Sequence, residues 1–125
     1  MTEASKIYHA SVRDERYAQG IQALSALIAE GVETATALQL RASLHVMVGD
    51  RGQAIRDLDQ AIRLSPEQRG LYHDRGSLHR TDGEHRLALA DLCEAAVLAH
   101  EADDDDLIDA VEHQVLAVLE EMRST

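Results

Sequence analysis

The chain has no Phe, no Trp and no Asn, and only one Lys, one Cys and one Pro. Each absence excludes something. The single Cys93 cannot form an internal disulfide, and without Asn there is no N-glycosylation acceptor. The N-terminus, Met1-Thr2-Glu3-Ala4-Ser5-Lys6, lacks the charged-then-apolar layout of a signal peptide, so the expected setting is a reducing cytoplasm. Because the only lysine is Lys6, no phosphate-binding loop ending in Gly-Lys-Ser/Thr exists, and no G-x-G-x-x-G occurs. His100-Glu101 is followed by Asp104 where a zinc-protease helix needs its second His. No catalytic residue and no cofactor are expected, and the chain reads as a non-enzyme. Twelve basic residues against 23 acidic ones give a net charge of -11, which repels phosphate backbones and anionic lipid heads. Neither nucleic acid nor membrane is an expected partner.

The apolar fraction, 45%, is dominated by 19 Ala and 16 Leu, the residues that form helices most readily. An all-α fold follows. The length of 125 residues suits a single domain spanning 1–125. Its acidity is a C-terminal property: residues 101–125 hold nine acids and one Arg, a net of -8.

At an offset of 34 the sequence matches itself. Residues 35–68 set against 69–102 share 11 of 34 positions without a gap, among them Arg41/Arg75, His45/His79, Gly49/Gly83, Ala54/Ala88, Asp57/Asp91 and Ala61/Ala95. Within each unit apolar residues recur at helical spacing twice, with a break at the glycine: Leu38, Ala42, Leu44, His45 and Val48, then Ala54, Leu58, Ala61, Ile62 and Leu64. Each unit is therefore a helical hairpin. Gly49 suits the left-handed residue that ends a helix, Asp50 the cap of the next, and Gln53 is placed to reach back to it; Gly83-Glu84 repeats the device less well. Ser65-Pro66-Glu67-Gln68 reads as a cap, a first-turn proline and a capping-box glutamine.

These residues resemble the tetratricopeptide repeat, with its small residue in the first helix (Ala42, Gly76), turn glycine (Gly49, Gly83), second-helix alanines (Ala54, Ala61, Ala88, Ala95) and closing proline (Pro66). Small side chains are needed because helices of a hairpin approach to 8–10 Å only where the crossing is uncrowded. His100 stands where a second closing proline would fall, so that junction either bends differently or continues helically. Residues 1–34 match weakly and read as a degenerate first repeat, with Tyr17, Gly20, Ile21, Leu24, Leu27 and Ile28 on the register of a second helix. Residues 103–125 read as an acidic capping helix with Leu107, Ala110, Val111, Val115, Val118, Leu119 and Met122 inward. The expectation is an alpha-alpha superhelix of three hairpins plus a cap, seven helices in all.

Three constellations invite a functional reading. Arg41 and Asp57 are 16 apart, as are Arg75 and Asp91, which places each pair across its own hairpin; duplication in both repeats argues for structural ion pairs over ligand-binding charges. His45, His79 and His113 are in register, but register does not supply the convergence of ligands at about 2.0 Å that zinc requires, so packing is preferred over a pH-responsive stack or a metal site. Asp103-Asp104-Asp105-Asp106 lacks the alternate spacing and glycine of a calcium loop and reads as a helix cap.

The resemblance implies a concave face, built from the first helix of each unit, that holds a protein or peptide. Carried across by register, its lining is His9, Val12 and Arg13; Gln39, Ser43, Val46 and Met47; His73, Ser77, Arg80 and Thr81; and Leu107, Val111 and Gln114. Many peptide-binding relatives clamp a C-terminal carboxylate there with Lys and Asn, and neither stands at the matched places here. Val46-Met47-Val48 corresponds to Arg80-Thr81-Asp82 one period on, so this apolar strip is not demanded by the repeat; it is either a contact hot spot or covered by the N-terminal helix. The expected function is an adaptor or dedicated chaperone that binds a protein segment. The alternatives are a homo-oligomerising scaffold, such as a homodimer, and a histidine-based small-ligand or metal sensor.

Overall fold

The computed structural model describes residues 1–124. Among them are seven α-helices and no strand: α1 (Glu3–Arg13), α2 (Tyr17–Ala29), α3 (Thr34–Met47), α4 (Arg51–Leu64), α5 (Arg69–Thr81), α6 (His85–Glu101) and α7 (Asp105–Arg123). The all-α expectation, with three hairpins and a closing helix, is borne out. The helices form two compact units, one spanning Met1–Ser65 and containing α1 to α4, the other beginning at Pro66 and containing α5 to α7.

Five of the six junctions use one device. A residue just past the helix end turns left-handed, at Glu15 (φ 55°), Gly31 (72°), Gly49 (84°), Gly83 (76°) and Asp103 (53°), and the α2–α3 junction adds a second, Glu33 (48°), at the start of α3. The next N–H then donates back into the finished helix: Arg16 to Ser11 O, Val32 to Leu27 O, Asp50 to His45 O, Glu84 to His79 O and Asp104 to Ala99 O, all at 2.8–2.9 Å. This closes the orphan carbonyls of each helix end. Glu15, Gly49 and Gly83 are 34 residues apart. The degenerate repeat thus keeps the turn without its glycine.

The sixth junction departs from expectation. Residues 65–68 form a turn, and α5 starts at Arg69 without a side-chain cap. Ser65 is drawn instead into closing α4, its N–H donating to Ala61 O at 2.8 Å, while the Pro66 carbonyl accepts the Tyr72 hydroxyl at 2.6 Å. With no proline at position 100, α6 continues helically to Glu101 and is 17 residues long against 14 for α4. Two capping roles also change hands. Asp50 accepts the Gln53 N–H as expected, but the Gln53 side chain turns to Asp57 instead of reaching back. Of the four consecutive aspartates only Asp104 caps α7, by accepting the Leu107 N–H at 3.1 Å, because Asp103 is consumed by the left-handed end of α6.

The first unit's core gathers Ala4, Leu24, Ala37 and Leu44; the second unit's gathers Ala88, Leu92, Ala95, Val111 and Val118. Ala42, Ala54 and Ala61 are also buried. A Cβ added at Gly76 would lie 3.2 Å from Asp91 Cβ and Leu92 Cγ, so the first helix meets the second at van der Waals limit there. Gly20, in register with Ala54 and Ala88, is tighter still: an added Cβ would fall 2.1 Å from Ser11 Oγ and 2.8 Å from Leu44 Cδ1. Four residues expected inward are exposed, namely Val48, Leu64, Leu119 and Met122. Val48 and Leu64 sit at helix ends, Leu119 is turned about 100° off the Val111–Val115–Val118 stripe, and Met122 lies in the last turn.

Candidate functional site

The Arg–Asp pairs are bidentate. Arg41 donates from Nε to Asp57 Oδ2 at 2.8 Å and from Nη2 to Oδ1 at 2.7 Å; Arg75 repeats this on Asp91 at 2.8 and 2.8 Å. Both carboxylates are buried. Asp57 also accepts Gln53 Nε2 at 3.1 Å, and Arg41 Nη1 reaches Ser25 Oγ on α2 at 3.0 Å. The hydrogen bond to Asp57 holds the Arg41 guanidinium above its ordinary pKa, against the opposing pull of burial. Within each pair one guanidinium is matched by one carboxylate.

His45 and His79 each rest with Nε2 3.8 Å from the same carboxylates, on Asp57 Oδ2 and Asp91 Oδ2. His113 does not join such an arrangement; it is exposed, and its Nδ1 lies 2.9 Å from the Asp109 carbonyl. The reason is the register of α7, which puts Asp109 at the position of Arg41 and Arg75 and offers no pair for His113 to flank. Among the described residues no group of three His, Cys, Asp or Glu is placed to hold a metal ion.

In the first unit, Val12 is half-buried against the core, while His9 and Arg13 are exposed on α1 and Gln39 and Ser43 half-buried on α3. Val46 and Met47 are 41% and 43% exposed, so α1 does not cover them. With Val48 they form a continuous apolar end to α3.

In the second unit the lining residues hold each other. Gln114 Nε2 donates to Ser77 Oγ at 3.0 Å, and Arg80 donates from Nη1 to Gln114 Oε1 and from Nε to Glu121 Oε1, both at 2.8 Å. His85 Nε2 approaches the other Glu121 oxygen at 3.5 Å. Arg80 is thereby committed to α7. Thr81, Gly83, His85 and Glu121 rim an open depression of about 720 Å³ beside it. His73 Nε2 is buried without a hydrogen-bond partner, and Val111, at 2% exposure, belongs to the core with Leu107 packed beside it. Val111 is therefore not lining: the stripe that faces α6 carries it inward, while Leu107 stays half-buried. The sequence offered no sign of Glu121 or His85 as partners of Arg80, since neither stands at a repeated position.

The arrangement of the helices has counterparts among known proteins. The chain matches the TPR2B domain of yeast Sti1, solved as a complex described as TPR2B-domain:pHsp70, with a TM-score of 0.86, covering 95% of each chain at 18% identity. This is a tetratricopeptide-repeat fold. The Sgt2 TPR domain of Aspergillus fumigatus gives a TM-score of 0.80 over 98% of this chain and 81% of that one at 15% identity, and PcrH of Pseudomonas aeruginosa 0.80 over 95% of both at 13%. Among curated proteins, tetratricopeptide repeat protein 36 of Bos taurus is 35% identical over 68 residues, which is 54% of this chain. The match spans about a third of that relative, 36% of its length. No family model matches the chain. The family resemblance read from the 34-residue period and the alpha-alpha superhelix class are thus borne out.

Proposed function

We propose that the chain is a non-catalytic interaction module, an adaptor or dedicated chaperone, and that the end of α3 is where its first unit meets a protein or peptide segment. The observation that carries this is the exposure of Val46, Met47 and Val48 in a row. Three consecutive apolar side chains in water are unfavourable for a free surface, and the next repeat places Arg80-Thr81-Asp82 at the same positions, so the fold does not require them. The likeness to a Sti1 domain solved as a pHsp70 complex supports a protein ligand. Ser43 and Gln39, one and two turns earlier on α3, supply the polar contacts that fix a segment's register, with His9 and Arg13 from α1. In the second unit His73, Ser77 and Thr81 are the corresponding candidates.

Photo-crosslinking from position 47 in native cytosol tests the reading. A discrete crosslinked protein is expected, absent when the crosslinker stands at exposed Gln60 on α4 and lost with Val46→Glu. Equal labelling from both positions, or labelling that survives Val46→Glu, removes the strip from the site.

A further inference from the structure

The second unit carries a surface distinct from the α3 strip. Between α6 and α7 runs a groove of about 350 Å³, walled by Cys93, Ala96 and His100 on one side and by Ile108, Val115 and Leu116 on the other, with Leu92 and Val111 at its floor. Glu112 is the one acidic side chain in its lining. Leu116 is 67% exposed at its edge, and Val97, four residues beyond Cys93 on α6, is exposed as well. The repeat does not require this. Val115-Leu116 correspond by register to Thr81-Asp82, and Glu112 to Leu78, so α7 has exchanged an apolar position for a charge and a polar pair for an apolar one.

The electrostatics around the groove are of one sign. Between Arg86 and Arg123 there is no Lys or Arg, whereas Glu94, Glu101, Asp105, Asp109 and Glu112 all lie exposed on α6 and α7; Glu120, beyond the groove, is paired with Arg123. On α7, Asp105, Asp109, Glu112, Leu116 and Glu120 follow at three- and four-residue steps, which stacks the carboxylates along the same edge as Leu116. A second copy of these helices would bring like charges together across an apolar seam, and anionic lipid would be repelled in the same way. The groove's walls are two helices with apolar residues at helical spacing, over roughly 12 Å from Ile108 to Leu116. A third helix lying in the notch between two others is already how α1 packs against both α2 and α3.

We infer that the α6–α7 groove is a docking site for an amphipathic helix of another protein, one whose apolar face is bordered by Lys or Arg. The apolar stripe fills the notch between Cys93 and Leu116, and the basic borders meet the carboxylates of α6 and α7, the helix-in-groove mode of recognition with charge setting its direction and selectivity.

Cys93 supplies the assay, because it is the chain's only thiol, is exposed and lines the groove. The full chain is titrated with two synthetic peptides of about 18 residues, identical in their leucine stripe and carrying either Lys or Glu beside it. The Lys peptide is expected to become helical on binding, to slow iodoacetamide alkylation of Cys93 about tenfold at saturation, and to lose both effects with Leu116→Glu, a change at a site exposed enough to fold normally. Met47→Glu is expected to leave the binding intact, which separates this site from the α3 strip. The inference is overturned if the Glu peptide protects Cys93 equally or if protection survives Leu116→Glu. It is also overturned if the Lys peptide binds without shielding the thiol, which is mere charge attraction, or if sedimentation shows a second copy shielding Cys93 without any peptide.

Discussion

Asp57 accepts two N–H bonds from one edge of the Arg41 guanidinium, at 2.8 and 2.7 Å, while only 2% of its own surface meets solvent. Removing the carboxylate leaves a guanidinium in a half-buried site, hydrogen-bonded to the Ser25 hydroxyl at 3.0 Å. Asp57→Ala is expected to destabilise the fold by about 3 kcal/mol in urea unfolding. The double change Arg41→Leu with Asp57→Leu should recover most of that, since a buried pair is worth little over apolar packing. Asp91→Ala should cost less than Asp57→Ala, because Asp91 is more exposed and Leu87 stands where Gln53 supplies Asp57 with a third bond. Equal stability of Asp57→Ala and the parent would show that the pair is not formed.

Left-handed ends at Glu15 and Asp103 carry a side chain where Gly49 and Gly83 carry none. An L-residue in this conformation costs roughly 1–2 kcal/mol, partly offset because glycine gives the unfolded state a higher chain entropy that folding must remove. Glu15→Gly and Asp103→Gly are therefore each expected to raise stability by about 0.5–1 kcal/mol, and Gly49→Ala to lower it. Differential scanning calorimetry reads the direction; a lower melting temperature for Glu15→Gly would contradict it.

Gly20 cannot accept a methyl group while Ser11 stands opposite. Gly20→Ala is expected to cost about 1–3 kcal/mol by overpacking, despite alanine's better helix propensity. Combining it with Ser11→Gly should restore part of the loss, because the two closest clashes are with the serine's Oγ and Cβ while Leu44 Cδ1, at 2.8 Å, still has to shift. Gly76→Ala, whose nearest neighbours lie at 3.2 Å, should change stability far less.

Asp104 links Arg69 to the start of α7. Its carboxyl pKa is lowered, chiefly by the hydrogen bond from Arg69 at 2.8 Å and then by the Leu107 N–H. A depressed carboxyl stabilises the fold fully above its unfolded pKa of about 3.9 and ceases to do so as pH falls through the folded value. The stability difference between the parent and Asp104→Asn, constant at neutral pH, should thus shrink only below about pH 4. A difference that vanishes already between pH 7 and 6 would assign it to another group.

Much of the fold was legible because a 34-residue period constrains many positions at once. The Arg–Asp spacing of 16 needed only two helices and a turn to become a contact, and the small residues at 42, 54, 61, 88 and 95 have no other use than close packing. Less of the candidate surface was legible. Register placed Val111 and Leu107 on a lining by analogy with Ser77 and His73, yet α7 is rotated by its own apolar stripe, which took Val111 into the core and packed half-buried Leu107 beside it. The Ser65-Pro66 cap was misread as well: residues 65–68 form a turn, and α5 starts only at Arg69, beyond the reach of the Ser65 side chain.

By itself the sequence determined the number of helices, the hairpin turns and the buried pairs, since these depend on short-range spacing and on which side chains are small. Only tertiary structure decided which apolar residues remain outside. Leu116 and Val118 are two residues apart in one helix with the same hydrophobic character, and one is 67% exposed while the other is wholly buried. Burial depends on what lies across from a side chain, and that neighbour comes from a distant part of the chain.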